Sequence, residues 1–256
     1  MVNLSVLFSR NHVPRVSVLM PAYNCDAFIT ESIESILNQT FADFEFIIIN
    51  DGSRDATADV IRKYVARDTR IRFIDNAFNA GIVSALNTGM NMCRGEYIVR
   101  MDADDISMPD RIAKQVAFMD ANPRCGVLGS WYHIFGEYER TMTRPSRVGM
   151  IDLLSGCLIG HPTVMLRRAM FDKYNLRYAP EFQFCEDYEL WSRAILHMDF
   201  CNIQEVLLRY RAHRASITYA HSRKQLDDTA RVQKRIAEYL SSRTDVQEKL
   251  IKTFCA

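Results

Sequence analysis

Three carboxylates lie within four positions of the sequence, at Asp102, Asp104 and Asp105. Like charges this close together repel, and a site that keeps them ionised normally contains a cation. Carboxylate oxygens suit Mg²⁺ or Mn²⁺, and Mg²⁺ held by one or two carboxylates usually completes its coordination with water and substrate phosphates. The alternative is a polar turn in which Asp105 or Ser107 caps the next helix.

The acidic triplet follows a buried strand within a repeating pattern of strands and helices. Residues 96–101 are β-branched and aromatic enough for a buried strand, and the same apolar character marks 16–20, 44–49 and 71–74. A helical pattern follows each of these strands. Four strand-then-helix units in about 110 residues predict an α/β protein with a parallel sheet and helices on both faces.

Polar residues follow each predicted strand. Pro21–Asn24 follows the first strand, and Pro21 is expected to end it because proline cannot donate to a central ladder. Asp51 follows the second strand, Asn79 lies beyond the third, and Asp102–Asp105 follows the fourth. In such sheets, ligands bind beyond the carboxyl ends of the strands. The sequence therefore predicts one ligand site at this edge.

The second half of the chain carries a further acidic pair and a basic segment. Glu186 and Asp187 begin a predicted helix, where capping is the alternative to a functional role because acids favour helix N-termini. An apolar, extended segment at 201–210 precedes the basic segment 211–217. From Ser222 onward the chain is predicted to be helical. Its basic residues predict either a packed helix with a solvated face or attachment to anionic lipid.

Composition excludes several classes of protein. The chain has 256 residues, 48% of them hydrophobic, and a net charge of +1, which gives no general attraction to nucleic acid. Seven scattered cysteines favour reduced thiols in the cytoplasm over a disulfide framework or a zinc site. No signal peptide is recognisable, and no apolar run approaches the roughly 18 residues that span a membrane.

Five linked motifs closely resemble the signature series of glycosyltransferase family 2. The resemblance covers roughly residues 14–220, and its motifs are Pro21-Ala22-Tyr23-Asn24, Asn50-Asp51-Gly52-Ser53, Asp102-Ala103-Asp104-Asp105, Glu186-Asp187 and Tyr210-Arg211-x-His213-x-x-Ser216. The resemblance implies a GT-A fold, in which a mainly parallel central sheet flanked by helices binds a nucleotide-sugar. It places this domain at 1–220, with a nucleotide-sugar-binding half at 1–130 and an acceptor and catalytic half at 131–220. A C-terminal helical extension follows at 221–256.

The resemblance also implies roles for individual residues. Asp187 would be the catalytic base, and Asp104, Asp102 and His213 would hold Mn²⁺ or Mg²⁺. Asp51 would accept from the imino N–H of uracil, although guanine offers the same donor. The full set expected to bind the nucleotide-sugar is Pro21, Ala22, Tyr23, Asn24, Asp51, Asn79, Ser84, Asp102, Ala103, Glu186, Arg211 and Ser216.

The implied reaction is an inverting transfer of GlcNAc, Gal or Glc from a UDP-sugar to a hydroxyl of a growing bacterial surface glycan, such as lipo-oligosaccharide, capsule or O-antigen. The expected partners are this donor, a glycan or lipid-linked glycan acceptor, and the cytoplasmic face of the inner membrane, but no nucleic acid. The alternatives are a nucleotidyltransferase and a non-catalytic sugar-nucleotide-binding protein. Nucleotidyltransferases generally carry a glycine-rich basic loop after the first strand, where this chain has Pro21–Asn24.

Overall fold

The computed structural model describes residues 12–213 and 222–242, which form a single mixed sheet covered by helices. In these residues the strands are β1 (Val16–Ala22), β2 (Phe44–Asn50), β3 (Ile71–Asp75), β4 (Tyr97–Arg100), β5 (Ile106–Ser107), β6 (Cys125–Gly136), β7 (Arg140–Met142), β8 (Arg147–Val148), β9 (Met165–Arg167) and β10 (Asp199–Ala212). The α-helices there are α1 (Ile29–Leu37), α2 (Thr57–Val65), α3 (Ile82–Met92), α4 (Arg111–Ala121), α5 (Arg168–Lys173), α6 (Glu186–Ala194) and α7 (Ser222–Ser241).

The first half of the sheet is parallel, as the strand-then-helix pattern predicts. Strand β1 pairs with β2 on one side and with β4 on the other, and β2 pairs with β3. Beyond β4 the order continues through β9, β6, β10 and β5, and β9 runs antiparallel to both β4 and β6. The fold is therefore α/β with a mainly parallel core.

Pro21 does not end the first strand, and that prediction is wrong. Pro21 lies within β1, opposite Ile49 of β2, and the strand continues to Ala22. The pairing of β1 with β4 ends at Leu19, so β1 has a free edge on that side at the level of Pro21. Since a missing N–H at a free edge removes no ladder hydrogen bond, proline is tolerated there.

Both faces of the sheet are buried, which explains the continuous apolar runs of the central strands. On one face Val18 packs with Ile33 of α1, and on the other Leu19 packs with Leu86 of α3. Helix α3 approaches β1 closely because Gly89 has no side chain: a Cβ at this position would lie 2.1 Å from Leu19 Cδ1. This packing fixes where α3 begins, beside the carboxyl ends of β1 and β2.

Helix α7 packs against α6 and shares its core through Val232, Ile236 and Leu240. The division into a domain and a C-terminal extension stays a prediction, as does the boundary at residue 130, which falls inside β6. None of the helices in the described part of the chain is both long enough and apolar enough to cross a lipid bilayer.

Candidate active site

A cavity of about 480 Å³ opens beyond the carboxyl ends of β1, β2 and β4. This cavity, here called the donor cavity, brings together most of the residues that the sequence predicts for the nucleotide-sugar and the metal. They are Pro21, Ala22, Tyr23, Asn24, Asp51, Asn79, Asp102, Ala103, Asp104 and His213. The predicted meeting of polar strand ends is therefore present in the fold.

Asp51 connects β2 to the start of α3. Its Oδ1 accepts from the backbone N–H of Ala80 at 3.0 Å, and its Oδ2 accepts from that of Gly81 at 2.8 Å. Gly81 has φ +88, a conformation that suits glycine. The Asp51 side chain is almost fully buried, and Oδ1 also accepts from Asn76 Nδ2 at 3.2 Å, so Oδ2 is the oxygen that keeps a second lone pair for a ligand donor. The anchoring hydrogen bonds leave Asp51 in a fixed orientation at the cavity wall.

The loops after β1 and β2 are joined through Asn24, which has a left-handed backbone conformation with φ 46. Its side-chain oxygen accepts from the backbone N–H of Arg54 at 2.9 Å, and its own N–H donates to Ser53 Oγ at 3.0 Å. Asparagine tolerates this backbone region better than most residues. The neighbouring Tyr23 is 45% exposed, so its ring is free to cover a ligand at the rim of the cavity.

Asp102 forms a two-point ion pair with a residue of the strand before it. Arg100, which is buried, approaches the two carboxylate oxygens of Asp102 through Nη1 and Nη2, each at 2.5 Å. Burial raises the pKa of Asp102 to about 6; Arg100 opposes this shift and the charge of Asp104 adds to it. Much of the negative charge of Asp102 is therefore already balanced by protein.

Asp105 does not cap the following helix, and neither does Ser107, because α4 begins only at Arg111. The Asp105 side chain is fully buried, and its Oδ1 accepts from the backbone N–H of Arg211 at 2.8 Å. Its Oδ2 has no hydrogen-bond partner within the described residues. Burial raises the pKa of Asp105 well above its usual range. Asp105 thus ties the acidic segment to β10 from below the cavity.

Asp104 and His213 lie in direct contact in the lining of the donor cavity. Asp104 Oδ2 lies 2.9 Å from His213 Nε2, and the imidazole packs against the Phe28 ring with centroids 4.7 Å apart. Carboxylate oxygens of Asp102, Asp104 and Asp105 lie within 4.8 Å of one another. Carboxylate oxygens are ligands that suit Mg²⁺ and Mn²⁺, and imidazole nitrogen is a common ligand of divalent transition metals. These residues fit a divalent cation, with Asp104 and His213 as the ligands that open into the cavity.

A second cavity of about 460 Å³ adjoins the first and is here called the acceptor cavity. The two share Ile82, Asp102, Asp104 and Phe184 as walls. Glu186 and Asp187, at the start of α6, line the acceptor cavity together with Tyr132, Tyr138 and Tyr210. Asp102 and Asp104 thus line both cavities, so molecules in the two cavities would approach each other beside these two carboxylates.

The two acids of α6 differ in their contacts. Asp187 Oδ1 accepts from the backbone N–H of Tyr188 at 2.7 Å, and Oδ2 lies 3.6 Å from Cys157 Sγ. Burial raises the pKa of Asp187 above its usual value, and it raises the pKa of Glu186 to about 7. A carboxylate with a raised pKa is a better proton acceptor near neutral pH. Both carboxyl groups therefore bind a proton more readily than an exposed carboxyl does.

Two of the predicted residues, Ser84 and Arg211, line neither cavity. Ser84 is an exposed residue of α3 and is not among the described residues that line either cavity. Arg211 lies between the rings of Phe28 and Phe135, 4.9 and 4.6 Å away, and donates to the backbone oxygen of Asp104 at 2.8 Å. It therefore supports the acidic segment from outside the cavities. Ser216 falls outside the described residues.

Comparison with known proteins gives the family directly. The family model described as glycosyl transferase family 2 matches residues 17–186. The chain belongs to this family. A relative described as an uncharacterised glycosyltransferase of Haemophilus influenzae is 30% identical over 253 residues, covering 94% of this chain and 78% of its own. The O-antigen biosynthesis glycosyltransferase WbnJ of Escherichia coli is 33% identical over 211 residues, covering 78% of this chain and 81% of its own.

Solved structures agree with the fold of this glycosyltransferase. Staphylococcus aureus TarS, solved with UDP-GlcNAc, superposes with a TM-score of 0.73 at 19% identity, over 88% of this chain and 66% of its own. The mannosyltransferase PcManGT of Pyrobaculum calidifontis, solved with GDP-Man and Mn²⁺, superposes with a TM-score of 0.64 at 15% identity, over 96% of this chain and 81% of its own. The chain is a glycosyltransferase with the GT-A fold.

Two residues of the site are absent from the sequence-based prediction. Arg100 is the last residue of the otherwise apolar strand β4, and it is buried there. A buried charged residue normally needs a partner of opposite charge. His161 lies on the wall of the acceptor cavity in a 3₁₀ turn, His161–Thr163, 25 positions before Glu186 in the chain. No spacing pattern links His161 to Glu186, so only the fold reveals their contact.

Proposed function

We propose that this enzyme is an inverting, metal-dependent glycosyltransferase that moves a hexose or N-acetylhexosamine from a UDP-sugar to a hydroxyl of a growing bacterial surface glycan. The observation that carries the proposal is the junction of the two cavities at Asp102 and Asp104, with Asp187 in the second. A donor in the first cavity would present its reacting carbon at this junction. TarS, solved with UDP-GlcNAc, and WbnJ, named for O-antigen biosynthesis, support the choice of donor and product class.

The nucleotide would be recognised by the fixed groups at the ends of β1 and β2. Asp51 accepts a hydrogen bond from the base, and Tyr23 stacks over it at the rim. Because Asp51 is held by two backbone N–H groups, little conformational entropy is lost when it binds the base. Asn50, where the family often has Asp, donates to Asp75 at 2.6 Å and so belongs to the support of this wall.

The diphosphate would lie at Asp104 and His213, which would hold Mn²⁺ or Mg²⁺. A bound divalent cation neutralises charge that develops on the departing diphosphate. Asp102, balanced by Arg100, is better placed to accept hydrogen bonds from the ribose or from water than to supply net charge. Arg211 keeps the backbone of Asp104 in place through its hydrogen bond to the carbonyl oxygen.

The transfer step would use Asp187 as the base. The acceptor oxygen attacks the anomeric carbon, its proton passes to Asp187, and the bond between that carbon and the diphosphate oxygen breaks. A single displacement of this kind inverts an α-linked donor to a β-linked product. Glu186, beside it, would orient a sugar hydroxyl. The tyrosines that line the acceptor cavity offer aromatic faces for a sugar ring.

We also propose that the enzyme acts in the cytoplasm. Contact with the inner membrane stays a prediction. Much of the basic charge of α7 is paired within the protein, Lys224 and Arg231 with Asp228 and Arg235 with Glu189, and this pairing weakens the attraction to anionic lipid. Leu226 is 70% exposed on the same helix. Co-sedimentation with anionic and with neutral vesicles tests this contact. Binding to neither would remove it.

A donor screen tests the proposed reaction. The purified protein is incubated with Mn²⁺ and each common nucleotide-sugar, and release of nucleoside diphosphate is followed with and without EDTA. Release from one UDP-sugar, abolished by EDTA, is the expected result. Release from a GDP-sugar, the donor type bound by PcManGT, would overturn the uracil assignment. Release that persists in EDTA would overturn the metal requirement.

A further inference from the structure

His161 connects the wall of the acceptor cavity to the buried core behind it. Its side chain is only 8% exposed, and its Nε2 lies 2.9 Å from the hydroxyl of Tyr178. Its Nδ1 lies 3.5 Å from Glu186 Oε1. The ring is held edge-on against Trp191, with centroids 6.0 Å apart. Tyr178, His161 and Glu186 therefore form a chain of polar contacts that ends at the cavity.

The protonation states of this chain follow from its burial. The pKa of His161 is lowered to about 3, mainly by burial and also by the nearby charge of Arg100, while Asp187 opposes the shift. The imidazole is thus neutral at working pH and carries one ring proton. Burial raises the pKa of Tyr178 above its usual value, so its hydroxyl keeps its hydrogen. Two hydrogens, one on each residue, are available for the two contacts.

The ionisation of Glu186 then determines which group donates a hydrogen in each of the two contacts. An ionised carboxylate only accepts hydrogen bonds, so the ring nitrogen that faces Glu186 must be the one carrying the proton. That nitrogen is Nδ1. Nε2 is left without a proton and accepts from the Tyr178 hydroxyl. No other arrangement of the two hydrogens satisfies both contacts while Glu186 is ionised.

We propose that His161 is a positioning residue, which points Nδ1–H at Glu186 and fixes that carboxylate at the wall of the acceptor cavity, while Tyr178 fixes the imidazole. The second oxygen of Glu186 is then free to accept from an acceptor hydroxyl. Glu186 lines the acceptor cavity and not the donor cavity, so the effect falls on the acceptor side. The role of His161 in catalysis rests on the proposed glycosyl transfer, whereas its contacts with Tyr178 and Glu186 do not depend on that reaction.

The first test reads the tautomer directly and needs no turnover. The protein is labelled with ¹⁵N-histidine, His161 is assigned through the His161→Asn variant, and its ring shifts are followed from pH 5 to 9. We expect a protonated Nδ1 and an unprotonated Nε2 above pH 8, where Glu186 is ionised, with a change of the ring shifts as Glu186 takes up a proton near pH 7 and in Glu186→Gln. A protonated Nε2 above pH 8, or an imidazole that gains a second proton between pH 5 and 9, would overturn the proposal even if no donor were ever found.

The second test uses the donor that the screen identifies and follows UDP release. His161→Ala should lower kcat by about 3- to 10-fold, a smaller loss than for a short charge-assisted hydrogen bond because the contact with Glu186 is 3.5 Å long. His161→Asn, which keeps an N–H near the position of Nδ1, should recover most of it. The KM for the donor should change less than threefold, since His161 does not line the donor cavity.

A double-mutant cycle separates positioning from general structural damage. If His161 acts through Glu186, then His161→Ala should cost little further in kcat when Glu186 is already Gln. Additive losses in the double variant would contradict the proposal. His197→Ala is the matched control, because His197 stacks on Tyr174 with centroids 4.0 Å apart just beyond the other end of α6 and should leave kcat unchanged.

Discussion

Glu186→Gln should make this enzyme more stable at alkaline pH while it impairs transfer. The carboxyl of Glu186 is 9% exposed, and burial raises its pKa from an ordinary 4.5 to about 7. Between these two pH values the folded chain binds a proton that the unfolded chain has released. The free energy of unfolding therefore falls as pH rises from about 4.5 to 7, and the whole penalty is present above pH 7.

The size of the effect follows from the same shift. A carboxyl displaced this far destabilises the folded state by up to about 3 kcal/mol once ionised, because each tenfold change in a proton equilibrium is worth about 1.4 kcal/mol. Glutamine has nearly the same shape and no charge. We expect Glu186→Gln to raise the free energy of unfolding by about 1 to 3 kcal/mol at pH 8 and to leave it nearly unchanged at pH 5.

Urea unfolding at both pH values, in metal-free buffer, measures this difference. Glu189→Gln is the matched control on the same helix: Glu189 is also buried, but it is paired with Arg193 at 2.7 Å and with Arg235 at 3.4 Å. Removing its charge should lower stability at pH 8, because two guanidinium groups lose their partner. If Glu186→Gln were no more stable than the native protein at pH 8, burial would not be what sets the state of Glu186.

Three further changes test other parts of the site. Asp104→Ala should weaken Mn²⁺-dependent UDP binding at least about tenfold in calorimetry, and unchanged binding would refute its role as a ligand. Asp187→Asn should lower transfer about 10²- to 10⁴-fold while UDP binding stays within twofold, since only proton transfer is lost, and full activity would exclude Asp187 as the base. Gly81→Ala should lower the free energy of unfolding by about 1 to 2 kcal/mol, because φ +88 is strained for alanine, and an unchanged urea midpoint would show that the turn relaxes.

Much of the fold and of the donor cavity follows from the sequence because both depend on local signals. Apolar runs of strand length, each followed by helical periodicity, lead to a parallel sheet, and parallel strands bring their carboxyl ends to one edge. Asp51 and Asp104 are predicted correctly as neighbours for this reason, although they are 53 positions apart. Their roles in binding remain predictions.

The remaining features depend on packing that spacing does not encode. Pro21 remains inside β1 because β4 ends earlier than its neighbour, which is a matter of relative strand length. Arg211 belongs to a motif expected to bind the nucleotide-sugar, yet its guanidinium lies between two phenyl rings. Arg100 of β4 pairs with Asp102, and His161 of the 3₁₀ turn lies beside Glu186. No sequence motif connects either residue to its partner. Each case needs three-dimensional contacts before it can be recognised.

We propose above that the donor cavity binds a uridine diphosphate together with a divalent cation at Asp104 and His213. Calorimetric titration with UDP, in Mn²⁺ and again in EDTA, tests it most directly because it needs neither the acceptor nor the sugar. We expect binding that is at least about tenfold tighter with Mn²⁺ than with EDTA and tighter for UDP than for GDP. Equal affinity with and without metal, or a preference for GDP, would contradict it.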